Sequence, residues 1–248
     1  MVWINRESMK ENYMGIVLSS ATIGEYDKRV VVLTRENGRF SAFARGARRP
    51  KSPLSAVTEP FCFGEFYVFR GRDSYTIEEV KVENYFPELR SDLDSLYMGL
   101  YFCEVADYFT REGMRADAEL ELLYRSLVAL KKAAPTPPAA DAQSQGTTGG
   151  ALPAELIRRI YELRTLMIAG YAPYYIEEDQ SWHDDRGVWN LSATAGYTIG
   201  EILNRPLRDL YGFTVSEAVL GELTRCIGAF FKRNTDRHFR TLDTLEQL

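Results

Sequence analysis

Apolar and polar residues alternate with a period of two over the first third of the chain. Together with β-branched and aromatic residues between turn signals, this pattern predicts antiparallel strands at 15–23, 29–34, 39–46, 57–70 and 74–82. Glu-Asn-Gly at 36–38 and Gly-Arg-Asp at 71–73 supply the residues that tight hairpins require. Five short strands, with a longer Pro-containing connection after the third, favour a closed barrel of the OB type over an open sheet with exposed edges.

The apolar period then changes to three and four. This spacing predicts amphipathic helices at 93–108, 120–130, 154–169, 203–211 and 216–231. Between them, residues 133–153 are mostly Pro, Gly, Ala and small polar residues, so we expect a flexible loop there. The predicted fold class is therefore α+β, with a five-stranded OB-fold barrel at 1–85 followed by an α-helical domain at 86–248.

The composition argues against a membrane-spanning, exported or disulfide-rich protein, but it does not indicate a function. The chain has 248 residues, of which 45% are apolar. No stretch is long and apolar enough to span a membrane, and the first residues resemble no signal peptide. Cys62, Cys103 and Cys226 are odd in number and far apart, which indicates buried thiols and not a disulfide or zinc framework. We expect a cytoplasmic protein without a membrane partner.

The charge is unevenly distributed. The net charge of −5 argues against a protein covered in phosphate-binding groups, yet residues 35–52 contain six basic residues and one acid. Strand alternation places Arg39, Phe43 and Arg45 on one face, and the following loop adds Arg48, Arg49 and Lys51. A basic and aromatic barrel face suits single-stranded nucleic acid. The alternative is a solvated strand whose charged turn protects a sheet edge.

Catalytic and metal-binding candidates are few. The acidic segment at 177–185 could hold a cation, but its order does not match an EF-hand and no cysteine flanks it. The only histidines, His183 and His238, lie in no nucleophile motif, and Asp27 suits a turn better than a general base. We expect no enzymatic activity and no cofactor. A metal-dependent nuclease would use the carboxylates Glu178, Asp179, Asp184 and Asp185.

Several blocks of sequence resemble one known family. Residues 16–18, 24–30, 33–39, 44–52 and 60–61 are similar, in this order, to the N-terminal barrel of the bacterial recombination mediator RecO. The similarity continues at Leu-Arg-Thr-Leu-Met-Ile-Ala-Gly-Tyr-Ala-Pro (163–173) and at the last nine residues, 240–248. It covers most of the chain apart from residues 133–153.

The resemblance implies a function in recombinational DNA repair. Members of this family bind single-stranded and double-stranded DNA and anneal complementary strands, which implies a nucleoid-associated protein. With RecR and the single-stranded-DNA-binding protein they help to load RecA, without hydrolysing a nucleotide. The implied DNA-binding residues are Arg39, Phe43, Arg45, Arg48, Arg49 and Lys51, with Lys28 and Arg29 as weaker candidates. The acidic, Phe-ending tail of the single-stranded-DNA-binding protein is expected in a groove of the helical domain with basic and apolar walls.

One departure from the family concerns zinc. Many members carry a four-cysteine zinc module after the Gly-Tyr-x-Pro block, but this chain has no cysteine between Cys103 and Cys226. We therefore expect a degenerate, metal-free module at 174–197 that is either mobile or stabilised in another way. Its acids could repel DNA or attract a basic partner. The alternative for the whole protein is an adaptor whose barrel docks proteins and does not bind DNA.

Overall fold

The computed structural model describes residues 9–72, 74–133 and 152–247, with only the backbone at Met9. By their contacts the residues fall into two compact units. One comprises Met1–Phe86 with Cys103–Leu120, and the other Pro87–Phe102 with Glu121–Leu248. The predicted boundary between residues 85 and 86 stays a prediction. Residues 134–151 of the predicted loop, and Asp73 of the second hairpin, lie outside the described residues.

The first unit is built on a five-stranded barrel. Its strands are β1 (Met9–Ile23), β2 (Asp27–Thr34), β3 (Gly38–Ala44), β4 (Phe63–Arg70) and β5 (Tyr75–Asn84). They close in the order β1-β2-β3-β5-β4, with β3 and β5 parallel and the other pairs antiparallel. The predicted OB-type barrel and the α+β class are confirmed. β1 begins earlier than predicted because it pairs with both β2 and β4.

Alternation along each strand fills the barrel. The inward side chains are mainly Val, Phe, Ala and Ile, among them Val17, Val30, Phe40, Phe66 and Ile77. β4 and β5 approach closely at Gly64, where an added Cβ would lie 2.2 Å from the backbone oxygen of Lys81. Only glycine fits this crossing, so the tight closure depends on it.

The strand predicted at 57–70 is wrong over its first residues. The chain forms the short helix α1 (Leu54–Val57), and β4 begins only at Phe63. Apolar residues of α1 and of the segment after it close the barrel core, where Leu54, Val57 and Cys62 are buried. This burial is why the segment from residue 57 resembles a strand in the sequence. Phe61, at φ 70°, turns the backbone out of the extended conformation.

The second unit is mainly helical, with irregular segments between its helices. Those that the structure describes are α2 (Leu93–Phe109), α3 (Asp117–Ala133), α4 (Ala154–Ile168), α5 (Ala193–Asn204), α6 (Glu217–Arg233) and α7 (Arg240–Leu245). The first turn of α3 and the end of α2 belong to the barrel unit. Short 3-10 turns lie at Pro87–Arg90 and Leu207–Asp209. α4 is buried along its length and contacts α5 and α6.

The core of the helical unit contains a charged cluster. Glu162 accepts hydrogen bonds from Arg158 (2.9 Å), Arg159 (2.7 Å) and the hydroxyl of Tyr101 (2.7 Å). All four side chains are buried. The two arginines lie on α4 with Glu162 and pair its buried carboxylate, and the hydrogen bond from Tyr101 ties α4 to α2.

The helix predicted at 203–211 is not formed. α5 already ends at Asn204, and Arg205 is extended (φ −65°, ψ 140°) because Pro206 follows it. Only the 3-10 turn at Leu207–Asp209 follows. The apolar spacing at 203–211 therefore belongs to the end of one helix and a turn, not to a helix of its own.

The predicted metal-free module is a small three-stranded sheet. It consists of β6 (Tyr174–Ile176), β7 (Ser181–Asp184) and β8 (Gly187–Trp189), in that order. The buried carboxylate of Asp184 accepts hydrogen bonds from Trp189 Nε1 (2.9 Å), the backbone NH of Arg186 (2.8 Å) and the guanidinium of Arg233 on α6. One carboxylate thus ties two strands to a helix and stabilises the module without thiolate ligands.

Candidate nucleic-acid interface

The basic loop, which we define as residues 45–52, is held at its base by the barrel. Gly46 has φ +67° and donates its NH to the carboxylate of Asp27 at 2.7 Å. Ala47 is fully buried in the barrel core, and the NH of Arg48 donates to the backbone oxygen of Tyr26 at 2.9 Å. Asp27 is therefore a turn residue that orients the basic loop.

This anchoring directs the cations of the loop outward. Arg45, Arg48, Arg49 and Lys51 are all exposed. The guanidinium of Arg48 donates one hydrogen bond to the backbone oxygen of Glu25, at 3.0 Å. Since a guanidinium has five NH donors, Arg48 keeps others for a phosphate. The loop therefore presents a concentrated positive charge on a fixed backbone.

Tyr26 adds an aromatic ring that the sequence analysis did not single out. Its ring is 42% exposed, and the guanidinium carbon of Arg49 lies 5.3 Å from the ring centroid. A partly exposed ring beside an arginine is a surface on which a base can stack. The signal in the sequence was an aromatic residue inside a turn, which is an unusual position for a core side chain.

Two predicted DNA-binding residues are already engaged by carboxylates. Lys28 Nζ lies 2.5 Å from Glu59, and only 12% of its side chain is exposed. Arg39 Nη1 lies 3.1 Å from Asp107, which follows the barrel in sequence but belongs to the same unit. Each would have to give up an ion pair to reach a phosphate. The structure thus groups Arg45, Arg48, Arg49 and Lys51 but sets Lys28 and Arg39 apart.

Phe43 and Arg29 belong to a row of outward-facing residues that crosses the whole barrel. Directly paired residues on neighbouring strands share a face of the sheet. Along β2, β3, β5, β4 and β1 the row holds Arg29, Phe43, Thr76, Phe69 and Lys10. We call this set the barrel row. Its two phenylalanines are half-buried and flank Thr76, and an exposed cation lies at each end of the row, although Lys10 is paired with Glu78 at 3.1 Å.

The barrel row is joined to the basic loop through the chain at Phe43. Phe43 lies two residues before Arg45 along the same strand and loop. Lys10 and Phe69 were missed by the sequence analysis because only the pairing of β1 with β4 brings them to the row. Together the row and the loop combine cations that can follow a phosphate backbone with rings that can stack on bases.

The acidic segment forms no metal site. Among the residues described, no group of three or more His, Cys, Asp or Glu side chains is arranged to hold a metal ion. Asp184 is buried and bound to Arg233 and Trp189, and Asp179 lies 3.0 Å from His183. The carboxylates that a nuclease would need therefore point to separate partners.

The helical unit has a groove with basic and apolar walls. It measures about 820 Å³ and lies between α3 and the 205–212 segment. Val128, Ala129 and Leu207 line it together with Lys132 and Arg208. Arg208 is bonded to Asp209 at 3.2 Å, whereas Lys132 is exposed and forms no ion pair with the described residues. The groove thus combines apolar side chains with a cation that has no ion pair among the described residues. No helix in the described ranges is long and apolar enough to cross a bilayer.

Comparison with known proteins gives a consistent result. Residues 9–86 match the family model described as "Recombination protein O N terminal". The chain is 28% identical to the DNA repair protein RecO of Acetivibrio thermocellus, over 96% of this chain and 98% of the relative. It is 26% identical to the RecO of Symbiobacterium thermophilum over 96% and 97%, and 37% identical to that of Clostridium acetobutylicum over 40% of each chain.

Proposed function

Because the chain is similar to RecO proteins over most of its length, we propose that it acts in recombinational DNA repair by binding single-stranded DNA on its barrel. The observation that carries the proposal is the connection of the basic loop to the barrel row at Phe43. A strand that follows the loop and the row meets exposed cations at the loop and half-buried rings at Phe43 and Phe69. Such an arrangement binds single strands of any sequence, because every base has a face that can stack.

In this proposal the strand is first attracted by the positive charges, and its bases then stack on aromatic rings. The basic loop attracts the strand over the longest range, although the net charge of the chain is −5. Release of counterions from the phosphates then supplies most of the affinity. Stacking on Tyr26, Phe43 and Phe69 holds the bases apart from one another, with their pairing edges available to a complementary strand. The protein holds and presents DNA, and cleaves no bond in it.

The partners follow from the family and from the groove. We propose that the protein also binds double-stranded DNA, anneals strands and, with RecR, helps to load RecA on DNA coated by the single-stranded-DNA-binding protein. Lys132 and Arg208 flank the apolar residues Val128 and Leu207 in the groove of the helical unit. This groove suits the acidic, Phe-ending tail of the single-stranded-DNA-binding protein, because cations would pair with its acids while the apolar wall receives its ring.

The experiment that tests DNA binding is fluorescence anisotropy of a labelled single-stranded oligonucleotide across a salt series. The test variant replaces the loop cations Arg45, Arg48, Arg49 and Lys51 with glutamine. Each phosphate contact on a single strand contributes about 0.7 to the slope of log K against log salt, so four lost contacts flatten it by up to about 3. We expect the variant to lose most of its affinity at low salt.

A matched control variant removes the same number of positive charges, but from the helical unit and not from the basic loop. Arg186, Arg225, Lys232 and Arg237 are exposed cations of the helical unit, and their replacement by glutamine removes the same charge. We expect this control to retain the slope of the unaltered protein. Equal slopes for the two variants would show that the loop is not the site. If the unaltered protein binds no DNA at low salt, the adaptor function replaces the proposal.

A further inference from the structure

An aromatic cleft lies between the small sheet and α5, outside the DNA-binding surface proposed above. It measures about 550 Å³ and is lined by Tyr175, Trp182, Trp189, Tyr197 and the polar side chains around them. The rings of Tyr175 and Trp182 are 5.5 Å apart at 58°. Tyr175 is 47% exposed and Tyr197 is 69% exposed, so these rings are unusually accessible for large side chains.

The floor of the cleft is formed by Trp182 packed against α5. Trp182 donates its indole NH to the backbone oxygen of Gly196 at 2.9 Å. A Cβ at Gly196 would lie 3.4 Å from the indole and one at Gly200 3.6 Å from it, so the ring lies flat on the glycine face of α5. Tyr197 projects from the same helix beside it. The indole of Trp182 is therefore held against α5.

The segment around the cleft carries an excess of acidic residues. Residues 171–204 contain six carboxylates and one arginine, and two of these carboxylates, Asp184 and Glu201, are paired with Arg233 and Arg205. Gln180, the last residue of the 177–180 turn, lines the cleft together with Ser181. Within the described residues, Glu177, Glu178 and Asp185 form no ion pair. Glu201, by contrast, is already bonded to Arg205 at 2.6 Å.

We propose that this cleft docks a basic segment of a partner protein, inserting an arginine or lysine side chain among Tyr175, Trp182 and Tyr197. The rings attract a cation through their negatively polarised faces. The carboxylates of Glu177 and Glu178 complement further positive residues of the segment. The same negative field disfavours DNA at this site, which separates the partner surface from the DNA-binding barrel.

The test uses a defined peptide and the fluorescence of the protein. Two of the three tryptophans of the chain, Trp182 and Trp189, line the cleft. The probe is acetyl-Gly-Leu-Arg-Leu-Arg-Gly-amide, titrated into the full chain and checked by calorimetry. We expect a saturable change in tryptophan fluorescence that weakens with salt. The Glu177→Gln, Glu178→Gln double variant should bind more weakly and depend less on salt.

Two tyrosines provide the matched pair of variants. Tyr197→Ala removes an exposed cleft ring and should weaken peptide binding about 5-fold, the size of one cation–π contact. Tyr174→Ala removes a ring that is 52% exposed but lies outside the cleft lining, and should leave binding unchanged. The proposal fails if the peptide does not bind, or if a peptide with glutamine in place of both arginines binds equally well. It also fails if oligothymidylate occupies the cleft and Tyr197→Ala abolishes that binding.

Discussion

Replacing Asp184 with alanine should destabilise the small sheet more than any other single carboxylate change in that module. Its carboxylate is 5% exposed and receives three donors, from Trp189, the backbone of Arg186 and Arg233. Alanine leaves the indole NH, which belongs to a buried residue, without this acceptor. Arg233 loses its ion pair but can turn to water, because 30% of its side chain is exposed.

The magnitude follows from these contacts. A buried donor left unpaired costs about 1–3 kcal/mol, and a hydrogen bond to a charged group contributes about 1.5–3 kcal/mol. Counting the indole in full and the two more accessible donors only in part gives a loss of about 3 kcal/mol. With an m-value of about 2 kcal/mol per M, the urea midpoint falls by about 1.5 M.

The assay is urea unfolding followed by tryptophan fluorescence, since Trp182 and Trp189 belong to the module. Asp185→Ala is the matched control, because this neighbouring acid is exposed and forms no ion pair with the described residues. Asp184→Asn should fall between the two, since an amide can still accept a hydrogen bond. Equal midpoints for Asp184→Ala and Asp185→Ala would refute the role of this carboxylate.

The same contacts set a pH dependence. Burial alone would raise the pKa of the Asp184 carboxyl, but hydrogen bonds from Trp189 and the Arg186 backbone, with the charge of Arg233, lower it overall. A lowered pKa in the folded state means that Asp184 stabilises above its unfolded pKa of about 3.9, and that this contribution is lost as the pH falls through the folded value. The difference between unaltered protein and Asp184→Ala should therefore be constant at neutral pH and shrink below about pH 4.

The remaining predictions concern the two binding surfaces. Phe43→Ala should weaken single-strand binding about 5-fold or more, because stacking contributes about 1–3 kcal/mol per base. The slope of log K against log salt should stay the same. Anisotropy measures both quantities, and a flattened slope would contradict a stacking role. Lys132→Ala should weaken binding of a synthetic acidic peptide that ends in Phe, with single-strand affinity retained. Calorimetry measures the affinity for the peptide, and an unchanged value would show that the groove is not the binding site of the peptide.

The barrel was largely predictable because its strands alternate cleanly. In β3, buried Phe40, Ala42 and Ala44 alternate with the more exposed Arg39, Ser41 and Phe43, as the sequence pattern predicts. Prediction failed where apolar residues serve the core without being in a regular element. The segment before β4 is one case, and the turn after Pro206 is the other. In both, burial resembles the pattern of a strand or helix, but local backbone constraints decide the conformation.

The candidate site was predictable only where it is local in sequence. The basic loop follows directly from its composition, whereas the barrel row depends on strand register, which joins Lys10 and Phe69 to Phe43 across three other strands. The ion pair that engages Lys28 joins residues 31 positions apart and leaves no signal in a single sequence. In the sequence, Asp184 is likewise one of several neighbouring acids, and nothing marks it as the carboxylate that binds Arg233 on α6.

The most direct test of the central claim is photo-crosslinking of the full chain to a single-stranded oligonucleotide that contains bromodeoxyuridine, followed by mass spectrometry of the crosslinked peptides. Aromatic side chains that stack on bases are the expected reaction partners. We predict crosslinks at Tyr26, Phe43 or Phe69, and their loss when the four loop cations are replaced by glutamine. Crosslinks confined to the helical unit, with none on the barrel, would contradict the account.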